Sequence, residues 1–282
     1  MIVSEIKSAD LPLIRIVPYS SRLALRLNEL WDYRELLYFL VWRDVKVRYK
    51  QTAIGAAWAV IQPVITMIVF TVVFDKFAKV PSGGLPYPIF SFTALLPWNY
   101  FSRALNQSIL SLVSNANLIT KVYFPRLLLP ISAVLAGLID FGIAFVFLVG
   151  MMIWYGIEPS SGVVFLPAFI LLIMLTALSV SLWLSVINVR YRDVGQAIPF
   201  LIQIWMFASP IAYPASVVPE KWRLLYSLNP MAGAIEGFRW ALTSSEPPPV
   251  QEILVCTLIV GVLLYGGLVF FKRMEETFAD EV

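Results

Sequence analysis

The chain contains no histidine and a single cysteine, Cys256. Histidine is the side chain that most often acts as a general base or binds a metal near neutral pH. Its absence argues against acid–base catalysis and against a histidine-ligated metal centre. One cysteine also excludes a disulfide within the chain. We therefore expect no catalytic residue and no metal site.

Charged residues are also scarce, because they make up 14% of the 282 residues while 59% are hydrophobic. A soluble domain carries about 45–50% apolar and about 25% charged residues. The surplus of apolar surface cannot be hidden in a core of ordinary size, so lipid is the expected solvent. A phosphate-binding loop of the form G-x-x-x-x-G-K-[ST] is absent too, so we expect no ATP hydrolysis by this chain itself.

Six apolar runs reach about 20 residues, the length needed to cross a hydrocarbon core of about 30 Å. They cover residues 54–74, 88–112, 127–155, 163–189, 195–214 and 253–271. Pro199 and Pro210 predict a kinked or partly broken helix in the fifth run. The predicted fold is an all-α membrane protein with a six-span domain over residues 51–272, an N-terminal segment over 1–50 and a tail over 273–282.

The basic residues predict the orientation of these spans. Nine lysines and arginines precede the first run, and the second loop, the fourth loop and the C-terminus add two each. The loops on the opposite side hold five. Because cytoplasmic loops are the ones enriched in Lys and Arg, both termini are predicted to be cytoplasmic.

Residues 34–50 are helical in pattern but too polar to span. The basic and aliphatic side chains fall on different faces: Arg43, Lys46 and Lys50 on one, and Leu37, Val41 and Val45 on another. This pattern predicts an amphipathic helix in the cytoplasmic interface. The alternative is a solvated helix of a small N-terminal domain.

Residues 213–252 lie between the last two runs and predict two short re-entrant helices on the outer side. The shorter helix covers residues 219–226, and the second begins at Asn229-Pro230, a cap followed by a first-turn proline. Side chains of the second helix fall on two faces: Ile235, Phe238 and Leu242 on one, and Glu236 and Arg239 on another. Re-entrant backbone is tolerated only where protein or water covers it.

Three stretches resemble the permease subunits of ABC-2 type polysaccharide exporters, the family of O-antigen, capsule and teichoic acid exporters. They are SNANLITKVYFPR at 114–126, NVRYRDV at 188–194 with SPIAYP at 209–214, and SLNPMAG at 227–233 with IEGFRW at 235–240. The resemblance extends over about residues 31–271.

The resemblance implies a homodimer in the bacterial inner membrane with two ATP-binding cassette subunits. ATP and Mg would be bound by those subunits, with no cofactor on this chain and no nucleic-acid partner. The implied cargo is a lipid-linked polysaccharide. Two rival functions stay open: another ABC-2 cargo such as teichoic acid, capsule, a drug or a lipid, and a membrane transferase acting on lipid-linked sugars.

By the same resemblance, the turn between the second and third runs is the segment that contacts the ATPase. Its site residues are Ser114, Asn115, Asn117 and Lys121. Without the resemblance, an ordinary solvated loop is the favoured interpretation of this turn.

Aromatic residues near the spans suit a glycan, since sugar faces stack on aromatic rings. The predicted lining residues are Trp58, Trp98, Tyr100, Phe101 and Trp205. The alternative is that they belong to the aromatic belts found at membrane interfaces.

Four charged residues are candidates for binding the diphosphate of a lipid carrier or for ion pairing: Arg103, Asp140, Arg190 and Arg192. Arg190 and Arg192 sit where the fourth run ends, where they could also contact the ATPase or anchor the span. Arg103 lies about 15 Å and Asp140 about 18 Å from the cytoplasmic ends of their spans at 1.5 Å per residue. This predicts either an ion pair between them or an Arg103 that faces the substrate.

Topology can be tested by cysteine labelling in intact cells. With Cys256 replaced by serine, single cysteines at Ser82 and Ser244 are expected to react with an impermeant maleimide from outside. A cysteine at Ser114 is expected to react only after the membrane is permeabilised. Labelling at Ser114 from outside would contradict the six-span topology.

Overall fold

The computed structural model describes residues 27–50, 55–243, 250–275 and 278, and the regular elements within these ranges are all helical. Residues 1–26, most of the tail and Ser244 lie outside the described residues. The α-helices are α1 (Leu27–Asp32), α2 (Arg34–Tyr49), α3 (Trp58–Phe70), α4 (Tyr87–Ser114), α5 (Ala116–Lys121), α6 (Leu128–Trp154), α7 (Leu166–Arg190), α8 (Asp193–Phe207), α9 (Glu220–Ser227), α10 (Pro230–Thr243) and α11 (Val250–Met274).

Four helical stretches of the described chain are long and apolar enough to cross a membrane. They are Gly55–Phe77, Leu128–Trp154, Ser161–Arg190 and Val250–Met274. Each corresponds to one of the six predicted runs. In the first, α3 continues into a π-helix over Thr71–Phe77, a change of winding that the sequence pattern did not predict.

The second predicted span is α4, the central helix of the bundle. Its 28 residues give a length of about 42 Å, which is sufficient to cross a membrane. Helices α3, α6, α7 and α10 all pack against it. Its composition is less apolar than that of the four stretches above, because polar side chains recur along one face.

The fifth predicted span differs most from its prediction. The run was expected to reach residue 214, but α8 ends at Phe207. Pro210 lacks the N–H that would continue the helical ladder, and the chain turns away before it. The carbonyl of Pro210 instead accepts a hydrogen bond from Nη2 of Arg239 at 2.8 Å. Tertiary contact with α10 therefore replaces the last predicted turns.

Helix α10 begins as predicted, because Oδ1 of Asn229 accepts a hydrogen bond from the N–H of Met231 at 3.0 Å. The predicted apolar face of Ile235, Phe238 and Leu242 is buried. The sequence predicts Arg239 on a separate polar face, and this prediction is wrong because Arg239 is buried. Its side chain is 4% exposed and lies 3.9 Å from the ring centroid of Phe90.

Helix α2 covers nearly all of the predicted 34–50 segment, but its faces differ from the prediction. Val45, expected on a lipid-facing side, is buried against the bundle. The exposed apolar side chains of α2 are instead three aromatic residues and one valine: Tyr38, Phe39, Trp42 and Val47. This helix packs along α6, so its polar side chains are directed at the spans rather than at solvent alone.

Close packing of α10 on α11 predicts a sharp effect of one methyl group. A Cβ at Gly233 would overlap the carbonyl oxygen of Glu252 and lie 2.8 Å from Cβ of Cys256. The backbone carbonyl of Glu252 cannot move aside as a side chain can. Gly233→Ala is therefore expected to lower the free energy of unfolding by about 1–3 kcal/mol, as overpacking does. Gly261→Ala is the matched control, because nothing lies within 4 Å of its added Cβ. Thermal unfolding in detergent should show a lower Tm for Gly233→Ala only, and equal Tm values would contradict this packing.

Candidate functional site: a charge cluster between four helices

The centre of the site is Asp140, an acidic residue twelve positions into α6 with a side chain only 8% exposed. Its Oδ2 accepts hydrogen bonds from Nη1 of Arg48 and, at 3.4 Å, from Nη1 of Arg103. Its Oδ1 accepts a hydrogen bond from the hydroxyl of Tyr49. One carboxylate is therefore shared by two guanidinium groups and a phenol.

Each arginine uses a second nitrogen to reach an amide on a neighbouring helix. Nη2 of Arg103 donates to Oε1 of Gln62 on α3 at 2.6 Å, and Nη2 of Arg48 donates to Oε1 of Gln107 on α4 at 2.5 Å. The cluster thereby joins α2, α3, α4 and α6. Its two cations and one carboxylate leave a net charge of +1.

Depth in the bundle explains why these charges are paired. At 1.5 Å per residue, Asp140 lies about 18 Å from the start of α6. An isolated charge at the centre of a bilayer costs about 2.5–3.5 kcal/mol on insertion scales, so partners are strongly favoured. The structure brings Arg103 and Asp140 together, which is one of the two arrangements that their matching depths allowed.

Arg48 is the partner that sequence reasoning missed. It had been counted only among the basic residues preceding the first span. Its spacing gave one signal: Asp44 and Arg48 are four residues apart and so share a face of α2. That face lies on α6, where Oγ of Ser132 donates to Oδ2 of Asp44 at 3.3 Å.

A small cavity of about 20 Å³ lies beside the cluster, between α3, α4 and α6. Arg103, Asp140 and Asn99 contribute polar groups to its wall, and Gly137 and Tyr100 contribute apolar ones. Nδ2 of Asn99 is buried and makes no hydrogen bond to the described residues. The volume is sufficient for one water-sized group.

Helix α4 carries a polar stripe that continues from the cluster. The stripe consists of Asn99, Ser102, Arg103, Asn106 and Gln107, whose spacing of three and four residues places them on one face. All five are at least partly exposed, whereas the other faces of α4 are buried. The spacing of these five polar residues is the signal by which the sequence could have revealed the stripe.

Three of the predicted lining aromatics are core residues instead. Trp98, Tyr100 and Phe101 are each at most 4% exposed, so their ring faces cannot stack on a sugar in this conformation. Trp205 packs edge-on against Phe101 with ring centroids 5.1 Å apart, and its Nε1 donates to Oδ1 of Asn229. The central position of α4 explains the burial. Only Trp58, 51% exposed, presents a large accessible surface.

The predicted ATPase-contacting turn joins α4 to the short helix α5. Ser114, Asn117 and Lys121 are exposed there. Oδ1 of Asn115 accepts a hydrogen bond from Nη1 of Arg43 at 2.9 Å. Helix α2 therefore contacts this turn through Arg43 and the charge cluster through Arg48.

Arg190 and Arg192 are placed at the junction of α7 and α8, outside the Asp140 cluster. Both are exposed, and the guanidinium of Arg190 lies 5.8 Å from the ring centroid of Tyr191. Their predicted contacts with a diphosphate or an ATPase stay predictions.

These features define a multi-pass helical membrane protein with a polar face along its central helix. Residues 35–243 match the family model described as ABC-2 type transporter, and the chain belongs to that family. It is 29% identical over 258 residues to the O-antigen export system permease protein RfbA of Myxococcus xanthus, covering 90% of this chain and 98% of the relative.

Two further relatives extend the comparison. An O-antigen export system permease protein RfbA of Klebsiella pneumoniae is 26% identical and covers 87% of this chain and 94% of its own. The polysialic acid transport protein KpsM of Escherichia coli is 23% identical, with 83% and 91% covered. These relatives are transport permeases, and ABC-2 permeases work with ATP-binding subunits.

The shared carboxylate predicts non-additive effects on stability. Arg48→Gln and Asp140→Asn should each lower Tm, and the double variant should lose less than the sum, with a coupling energy of about 1–3 kcal/mol. Arg103→Gln should cost less than Arg48→Gln, because its contact with Asp140 is longer. Thermal unfolding of the four variants measures this. Strictly additive losses for Arg48 and Asp140 would contradict the pairing.

Proposed function

We propose that this chain is the permease subunit of an ABC transporter that exports a lipid-linked polysaccharide of the O-antigen type across the bacterial inner membrane. A separate subunit hydrolyses ATP with Mg. The observation that carries the proposal is the polar stripe of α4, set among apolar helices in a family whose similar members include O-antigen export permeases. Amide and hydroxyl side chains form hydrogen bonds with sugar hydroxyls, as a glycan pathway requires.

The proposed topology has six spans and places both termini in the cytoplasm. Helix α4 supplies the second span, since its length of about 42 Å is ample. Helix α8 and the turn to residue 214 supply the fifth. Helices α9 and α10 then form the re-entrant outer pair, and the buried Arg239 fixes α10 to the turn after α8.

A second copy of the chain completes the proposed permease. The polar stripe of one protomer is open on one side, and a hydrophilic cargo needs a path closed off from lipid. Two facing stripes would provide such a path. Trp58, exposed on α3, remains available to stack on a sugar ring at its edge.

The stripe also separates the rival functions. A drug or lipid cargo favours an apolar surface, whereas this face carries amides and hydroxyls. A membrane transferase would need a cluster of carboxylates or histidines near a membrane surface, whereas the chain has no histidine and Asp140 is engaged by two arginines and a tyrosine. Capsule export remains the specific alternative, because one relative is a polysialic acid transport protein.

Export should require both this chain and its ATPase. Cells lacking the chain are expected to stop displaying surface glycan, and the gene together with that of the ATPase should restore it. Thr120→Pro breaks the α5 ladder because Thr120 lies inside that helix, and it should abolish export while ATP hydrolysis continues. Thr120→Ala, which leaves the helix intact, is the control. Normal surface glycan with Thr120→Pro would show that α5 does not couple the ATPase to transport.

A further inference from the structure

We propose that Arg48 and Arg103 form an anion site that Asp140 occupies in this conformation, and that a phosphate-type group on the transported molecule displaces the carboxylate. The proposal rests on the proposed function and specifies how its charged substrate is recognised. Asp140 then acts as an internal competitor for the two arginines rather than as a permanent structural partner.

The hydrogen-bond geometry leaves both arginines incompletely matched by Asp140. A guanidinium pairs best with an oxyanion through two parallel hydrogen bonds. Here each arginine gives one nitrogen to the same Oδ2 and the other to a neutral amide, Gln62 or Gln107. A diphosphate carries enough oxygens to accept two bonds from each guanidinium at once. It therefore fits the pair better than one carboxylate does.

Exposure shows from which side such a ligand would arrive. The side chains of Arg48 and Arg103 are 20% and 28% exposed, while Asp140 is 8% exposed. Gln62 and Gln107, which accept hydrogen bonds from the second nitrogens of the two arginines, are both exposed. An anion moving along the α4 stripe would meet the guanidinium groups before the carboxylate. The entering anion would first replace the hydrogen bonds that the arginines make to these two neutral amides.

Charge favours the exchange as well. The three ionised groups sum to +1, and opposite charges attract more strongly at low local dielectric than in water. A dianion would match the two guanidinium charges of Arg48 and Arg103, whereas the carboxylate of Asp140 matches only one of them. The released carboxylate retains the hydroxyl of Tyr49 as a donor, which lowers the cost of displacing it.

Displacement would also weaken the attachment of α2 to α6, because the contact of Arg48 with Asp140 is lost while that of Tyr49 is retained. Arg48 and Tyr49 form the last turn of α2, and both bind Asp140. The same helix contacts the α4–α5 turn through Arg43 and Asn115. Occupancy of the site would thereby be communicated to the turn that is proposed to contact the ATPase.

Two isosteric variants test the proposal in opposite directions. Asp140→Asn removes the internal competitor and should tighten binding of farnesyl diphosphate to the full chain in lipid nanodiscs by at least about tenfold. Gln62→Glu adds a second carboxylate against Arg103 and should weaken binding by a similar factor. Gln251→Glu makes the same charge change at the start of α11 and should leave binding unchanged. Calorimetry or fluorescence titration provides the affinities.

The probes separate the chemistry of the ligand. If the affinities of the variants for inorganic pyrophosphate change in the same way as those for farnesyl diphosphate, the site recognises the phosphate group itself, whether free or lipid-linked. A pattern seen only with farnesyl diphosphate supports a lipid-linked source. If uncharged farnesol binds equally to all variants, and if the affinity for farnesyl diphosphate does not differ between them, the proposed anion site is wrong.

Stability controls keep the outcome clear. If Asp140→Asn does not fold, Gln62→Glu decides alone, because it adds a favourable charge partner. Unchanged affinity in Gln62→Glu, or weaker affinity in a folded Asp140→Asn, would overturn the inference. Normal glycan export with no variant pattern would overturn this inference only. The variant pattern without any glycan export would overturn the proposed function and leave the anion site standing.

Discussion

A carboxylate placed deep in an apolar helix bundle must find positive partners, and the arrangement around Asp140 follows from that constraint. Desolvating an ion costs several kcal/mol even after relaxation, so hydrogen bonds from partner residues stabilise Asp140 at this depth. The partners come from α2 and α4, and their remaining nitrogens recruit Gln62 and Gln107. One acidic residue therefore determines where a polar N-terminal helix contacts the spans.

The second buried charge, Arg239, organises the opposite part of the bundle by the same principle. Its guanidinium donates to Glu236 and to the carbonyl of Pro210, and it lies over the ring of Phe90. These contacts hold the turn after α8 on α10 and α4. Apolar packing forms most of the fold, and the clusters around Asp140 and Arg239 are two of the polar contacts that connect its helices.

Much of the fold could be predicted from composition and periodicity. Four long apolar stretches, the Asn229 cap and the buried face of α10 follow from local rules that tertiary contacts do not override. The end of α8 and the burial of Arg239 could not, since they depend on a contact between residues 29 positions apart. The same applies to the site. Depth gave a contact of Arg103 with Asp140 as one of two alternatives, whereas Arg48 reaches Asp140 only because α2 packs along α6.

The central claim is that Asp140 holds α2 against α6, and cross-linking in native membranes tests it most directly. With Cys256 replaced by serine, cysteines at Asp44 and Ser132 report the contact between these helices. A short thiol cross-linker should join them efficiently when Asp140 is present and much more slowly with Asp140→Asn. Equal cross-linking rates with and without the carboxylate would contradict the account.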